Sequence, residues 1–199
     1  SPTISSSATT SMSGSYGLVV TDGNSCSSAT SSTSISVSSP PNAGSLSGST
    51  SSIGVSQTVQ LTTSGSAGGN WGSNDASIAS VNSSGLVTGV SVGSTNITYT
   101  VAGSGGCSDD VASYSISILG SISSGNWSNT STWSGGVKPT AGQNITILHD
   151  VTVDESTADL GNLTINSGTN LSVGAFTLEV SGTLDNNGTI SIANSSSVV

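Results

Sequence analysis

The stretch NWGSNDASIASVNSSGLVTGVSVGSTNITYTV, residues 70–101, sets the reading of the whole chain. Apolar or β-branched residues alternate with small polar ones, most clearly in Ile97 to Val101, and this is the two-residue period of a strand with one face buried. Gly, Asn-Asp and Ser-Ser-Gly interrupt the alternation where turns are needed. The same period recurs in SYSISIL (residues 113–119) and NITIL (residues 144–148). Serine, threonine, glycine and asparagine fill most of the remaining positions, a composition shared by disordered tracts and by short strands joined through turns. The alternation favours strands. No segment sustains a 3.6-residue apolar period, and alanine, glutamate and lysine are scarce, so an all-β chain with almost no helix is expected.

The 199 residues carry Lys+Arg 1 and Asp+Glu 10, a formal net charge of -9. Such a surface repels phosphate and carboxylate partners, which excludes nucleic acid as a target. No run reaches the roughly 18 to 20 apolar residues that span a bilayer, so membrane insertion is not expected, and any secretion signal is placed outside the sequence.

Three segments are expected. Residues 1–39 hold a strand, an Asp-Gly-Asn turn at Asp22 to Asn24 and a second strand through Ile35 and Val37, which is a hairpin too small to stand alone and reads as the tail of a truncated sandwich module. Pro40-Pro41 marks a stiff connector. Residues 40–120 supply enough short strands for a sandwich of about 80 residues. From residue 121 onward the strands shorten to three to five residues between Gly, Asn-Gly or Ser-Gly corners, as a coiled solenoid requires. Its inward candidates are Ile145, Ile147, Val151, Val153, Leu160, Leu163, Ile165, Leu171, Val173, Phe176, Leu178, Val180, Leu184, Ile190 and Ile192. An uncapped turn exposes an apolar end, so the solenoid of residues 121–199 is expected to continue past Val199.

Residues 70–101 resemble the signature of the bacterial Ig-like domain, group 2. There a Trp precedes an Asn/Asp turn, an Ile-Ala-x-Val strand, a Gly-Leu-Val-Thr strand and a final Gly-x-x-x-Ile-Thr strand, here Trp71, Ile78 to Val81, Gly85 to Thr88 and Gly93 to Thr98. The hairpin and the Asn-Ala-Gly at Asn42 to Gly44 are similar to repeats in very large secreted proteins of gliding and biofilm-forming Bacteroidetes. The third segment resembles the opening of a right-handed parallel β-helix of bacterial surface proteins, through Gly125, Trp127, Trp133, Gly136 and Pro139. It departs from that pattern at Gln143, where an acidic residue is expected.

Candidate chemistry is sparse. Cys26 and Cys107 sit in equivalent late turns of successive modules, roughly 30 Å apart, whereas a disulfide needs Cα atoms within about 7 Å. Free, buried thiols are expected, with an intermolecular bridge as the alternative. In the Ig-like family the turn cysteine often faces one in an early Ile-Cys-Val-Gly strand, and this chain has Ile53, Gly54, Val55 and Ser56 there, so the resemblance implies that Cys107 lacks that partner. His149, the single imidazole, stands near Asp150 and Asp154 and reads as a hydrogen-bonded corner residue. No Gly-x-Ser-x-Gly elbow occurs.

Asp154, Glu155, Asp159, Glu179 and Asp185 are the carboxylates that a glycoside-cleaving groove would use, weighed against solvated turn residues. The acid pairs Asp109-Asp110 and Asp154-Glu155 are calcium candidates, without an EF-hand or Gly-Gly-x-Gly-x-Asp pattern. Trp127 and Trp133 are the sugar-stacking candidates, weighed against plugging the solenoid's first turn, and Trp71 is expected in the sandwich core. Sequons at Asn82, Asn96, Asn126, Asn144 and Asn162 are frequent by chance in so Ser/Thr-rich a chain.

The expectation is a non-enzymatic stalk and display segment of a secreted or cell-surface adhesin. It has no catalytic residues and no required cofactor, and its partners are adjacent modules of the same chain, identical chains or a glycan surface. A tethered carbohydrate-active β-helix enzyme and a carbohydrate-binding module are the alternatives.

Overall fold

The computed structural model describes residues 9–192 and 197–198. The first eight residues of the expected 1–39 segment, and residues 193–196 and 199 of the last, lie outside the described residues. Among the described residues strands dominate, and helical structure is confined to 3-10 turns at Thr10–Met12, Thr130–Thr132 and Ser134–Gly136.

The hairpin forms where alternation and turn chemistry placed it. Strands β1 (Gly14–Leu18) and β2 (Ser31–Ile35) pair antiparallel, with Tyr16 opposite Thr33. Asp22 Oδ1 closes the turn by accepting from the backbone N–H of Asn24 and Cys26, both at 2.9 Å. Ile35 and Val37 are half-buried, but among the described residues Leu18 and Val20 stay open, 64% and 62% exposed. Two strands without an opposing layer contribute little stability of their own.

The sandwich uses β3 (Leu46–Gly48), β4 (Ser52–Ile53), β5 (Thr58–Thr63), β6 (Asn70–Ser73), β7 (Ala79–Val81), β8 (Leu86–Gly89), β9 (Gly93–Val101) and β10 (Asp110–Ile118). They form two four-stranded sheets, ordered β4-β10-β9-β6 and β3-β5-β8-β7. Alternation decides which side chains enter. Val59 and Leu61 of β5, Val87 of β8, Ile97 of β9 and Ile116 and Ile118 of β10 meet in one core, each stabilising by roughly 1.5–3 kcal/mol. Trp71 and Tyr99 pack with ring centroids 4.9 Å apart. Gly85, at φ +83, lies directly under the indole, where a Cβ would come within 2.9 Å of the ring. Asn82 Oδ1 accepts from the N–H of Ser84 and Leu86, which shapes the Ser-Ser-Gly turn.

From Leu119 onward the pairing changes character. Strands β11 (Gly125–Asn126), β12 (Ile145–Ile147), β13 (Val151–Val153), β14 (Leu163–Ile165), β15 (Asn170–Val173), β16 (Thr177–Leu178), β17 (Leu184–Asn186), β18 (Thr189–Ile192) and β19 (Ser197–Val198) join into three parallel ladders: β11-β13-β15-β18, β12-β14-β17 and β16-β19. Successive turns of chain stack in register, so that Ile145 faces Leu163, which faces Leu184, and Val151 faces Leu171, which faces Ile190. Asparagine side chains join the turns at one corner: Asn144 Oδ1 accepts from Asn162 N–H, and Asn162 Oδ1 from Thr183 N–H, both at 2.9 Å. The corner needs glycine, because a Cβ on Gly182 would lie 2.3 Å from Asn162 Oδ1.

The core of this parallel-stacked body holds Leu119, Trp127, Trp133, Ile145, Ile147, Val151, Val153, Leu160, Leu163, Ile165, Leu171, Val173 and Leu178, with Val180 and Ile190 packed against it. Three inward candidates are exposed instead: Phe176 at 40%, Leu184 at 39% and Ile192 at 52%. Phe176 falls on the bend after Gly174, outside any strand. Leu184 and Ile192 continue the inward columns, opposite Leu163 and Val173, but no turn among the described residues lies over them.

Candidate functional site

A concavity lies between the sandwich and the first parallel turns, a groove of about 410 Å³. Val55 and Ser56 from the β4–β5 turn and Val90 to Val92 from the β8–β9 turn form one wall, and Asn144 to Thr146, Leu148, Asn162 and Thr164 form the other. No charged side chain lines it, so it offers apolar contact and hydroxyl or amide hydrogen bonds and no group able to transfer a proton near neutral pH. Asn144 is already committed on both sides, its Nδ2 donating to Val55 O at 3.1 Å while Oδ1 serves Asn162.

Several of the carboxylates act as backbone caps. Asp109 Oδ1 accepts from Gly103 N–H at 2.9 Å, and Asp110 Oδ2 from Ala43 N–H at 2.8 Å. Asp154 takes both the hydroxyl (2.6 Å) and the N–H (2.9 Å) of Ser128. These two bonds, the hydroxyl's first, hold its carboxyl below the ordinary aspartate range. A glycosidase acid needs the opposite displacement. Glu155 forms an ion pair with Lys138, the single cationic side chain. Asp159, Glu179 and Asp185 are exposed, and Asp185 accepts from Asn187 Nδ2 at 3.0 Å.

No cluster of three or more His, Cys, Asp or Glu side chains able to hold one metal ion occurs among the described residues. Asp109 and Asp110 serve the sandwich and its lead-in segment, and Asp154 and Glu155 serve the parallel body, so the calcium candidates are not brought into a shared cage. The thermal midpoint is therefore expected to be unchanged by a calcium chelator. A fall of several degrees would require a cation among these carboxylates.

His149 sits at a corner, as its sequence context indicated. Its N–H donates to Ser121 Oγ and its Nδ1 lies 2.9 Å from Ser121 O. A carbonyl oxygen only accepts, so Nδ1 carries the proton in this contact. Among the described residues, the ring's hydrogen bond is to this backbone carbonyl and not to a nucleophile.

The stacking candidates Trp127 and Trp133 are 1% and 0% exposed. Their rings meet edge to face, with centroids 4.7 Å apart, and Trp133 Nε1 donates to Trp127 O at 2.8 Å. Neither presents a face to a sugar ring, so the stacking role is set aside in favour of packing. Gln143, at the departure from the acidic pattern, donates through Nε2 to Ser52 O and Ser52 Oγ, both at 3.2 Å. A neutral donor is used there, reaching Ser52, where a carboxylate could only accept.

Cys26 and Cys107 are free, and both are exposed, which corrects the expectation of burial. Their turns explain it: Ser25 (φ 65) precedes Cys26 and Gly105-Gly106 (φ 63 and 93) precede Cys107, so each chain reversal projects its thiol outward. Alkylation of the native protein without reductant is expected to add two adducts by mass. Protection of either thiol would contradict the exposed, unpaired state.

Comparison with known proteins adds one finding. The family model of the bacterial Ig-like domain (group 2) matches residues 32–111. The match begins inside β2 and ends inside β10, eight residues before and nine residues short of the limits 40–120 expected from composition, while β10 itself runs on to Ile118. Domains of this group are typical of surface or extracellular bacterial proteins. No curated protein matches the chain. Among the described residues no helix is long and apolar enough to cross a membrane.

Proposed function

We propose that the chain is a non-catalytic stalk and display segment of a secreted or cell-surface bacterial adhesin, of the kind found in Bacteroidetes. In this reading the Ig-like domain is a load-bearing module and the parallel-stacked body is the opening of a parallel β-helix. One observation supports it above the others: most of the groups that could do chemistry are spent on structure. Asp22, Asp109, Asp110 and Asp154 cap backbone N–H groups, Lys138 is paired with Glu155, His149 is tied to Ser121, and the two tryptophans of the parallel body are interior.

The mechanism is mechanical. Backbone ladders resist extension, and a hydroxyl-rich, sparsely charged surface makes many individually weak hydrogen bonds that sum when several copies engage one glycan or cell surface. The partners are neighbouring modules, identical chains and neutral glycans.

The test is incubation of the purified chain with a panel of neutral and acidic polysaccharides, with reducing ends and unsaturated products both assayed. No turnover is expected. Release of oligosaccharides would replace this reading with a carbohydrate-active enzyme.

A further inference from the structure

The boundary between the two bodies contains no linker. Ile118 belongs to the sandwich core and is 0% exposed; the next residue, Leu119, is also 0% exposed and belongs to the core of the parallel body. Leu119 N–H donates to Ile53 O at 2.8 Å in the sandwich, while Ser121 N–H donates to Thr146 O at 3.0 Å in the parallel body, and Gly120 bridges Thr146 in parallel. Ser134 reaches back from the parallel body, its Oγ donating to Ile118 O at 2.6 Å.

A second set of contacts, distant in sequence, closes the joint. Gln57 sits after Ser56, whose φ of 66 is unusual for a residue with a side chain. Gln57 Oε1 accepts from Gly54 N–H (2.8 Å) within its own turn and from Asn144 N–H (3.0 Å) across the boundary. Its Nε2 donates to Gly142 O at 2.8 Å. Gln143 returns the contact through Ser52, and Asn144 through Val55 O. The approach is as close as backbone allows: a Cβ on Gly54 would lie 2.0 Å from Asn144 O, and one on Gly120 2.3 Å from Val92 Cγ2.

We infer that the Ig-like sandwich caps the first turn of the parallel-stacked body, and that the amides of Gln57, Gln143 and Asn144 lock the two into a single cooperative, rigid unit. Tandem modules joined by a mobile linker would bend and unfold one at a time. Here the last sandwich strand feeds straight into the next core, and opening one body strips hydrogen-bond partners and apolar cover from the other. The joint goes beyond the proposed function, because it concerns how the chain folds and transmits load whether or not the chain turns over a glycan.

Native-state hydrogen exchange of the described chain, followed by mass spectrometry at increasing sub-denaturing urea, tests it. Peptides covering β9 and β10 report the sandwich, and peptides covering β14 and β15 report the parallel body. In the unmodified protein the slowest amides of both are expected to merge onto one urea dependence, as one cooperative opening requires. In the double variant Gln57→Ala/Gln143→Ala the two sets should separate, the less stable body exchanging faster by about tenfold or more, as loss of several net hydrogen bonds implies. Two separate dependences in the unmodified chain would overturn the inference. Coincident dependences in both proteins would overturn the role of the amides. Should the double variant fail to fold, Gln143→Ala alone provides the same comparison.

Discussion

Replacing Trp133 by alanine is expected to destabilise the protein by about 3–5 kcal/mol, the range for removing a buried tryptophan. The ring is fully covered, packed edge to face on Trp127 and surrounded by the core that also holds Leu119, Ile145 and Val151. Truncation opens a cavity that the short strands around it cannot collapse to fill, and leaves Trp127 O without its 2.8 Å donor. Trp133→Phe keeps much of the volume while removing the N–H, so its cost weights the lost hydrogen bond over the cavity; a cost of about 1–3 kcal/mol is expected for that variant. The midpoint of a urea melt reads both. A Trp133→Ala midpoint within the roughly 0.5 kcal/mol typical of surface substitutions would mean that the indole is not interior.

Trp71→Ala is expected to cost about 3 kcal/mol, at the lower end of the same range because the indole is half-buried. Trp71 packs against both apolar clusters of the sandwich and against Tyr99. The hydroxyl of Tyr99 in turn accepts from Gly69 N–H and donates to Ser66 O, pinning the loop that leads into β6. The indole therefore holds an open edge of the sandwich closed, and its loss should loosen residues 66–71 as well as the core. An unchanged melt would place Trp71 at the surface, free to bind a ligand. With the two bodies coupled, this substitution and Trp133→Ala should each shift a single transition, although they lie on opposite sides of the joint.

Alternation carried most of what could be read from the sequence. Ile97 and Ile116 enter the sandwich because each is flanked by small polar residues, and Val151, Val153, Leu171 and Val173 repeat the pattern in strands too short for long hairpin arms. The turn residues were equally legible, since Asp22 and Asn82 accept backbone N–H groups where their sequence context called for turns. Phe176 was misplaced because hydrophobicity alone cannot tell a bend from a strand. The cysteines were misplaced because a general tendency of thiols to be buried was applied to residues at the outside of tight turns.

The joint left a single trace, Gln143 standing where an acidic residue was expected. Gln57 and Asn144 are 87 residues apart, glutamine and asparagine have no periodic signature, and the close approach at Gly54 and Gly120 is visible only when both backbones are in place. Asn144 and Asn162 stood out in the sequence only as sequons, whereas in the fold their side chains tie successive turns together.

In the proposed function, this serine- and threonine-rich chain works by bearing load as packed β structure. Stretching single molecules from their two ends tests that most directly. The expected record shows discrete force peaks, with contour-length gains that together account for the ordered strands at about 3.3–3.6 Å per residue. A smooth entropic extension without peaks would contradict it.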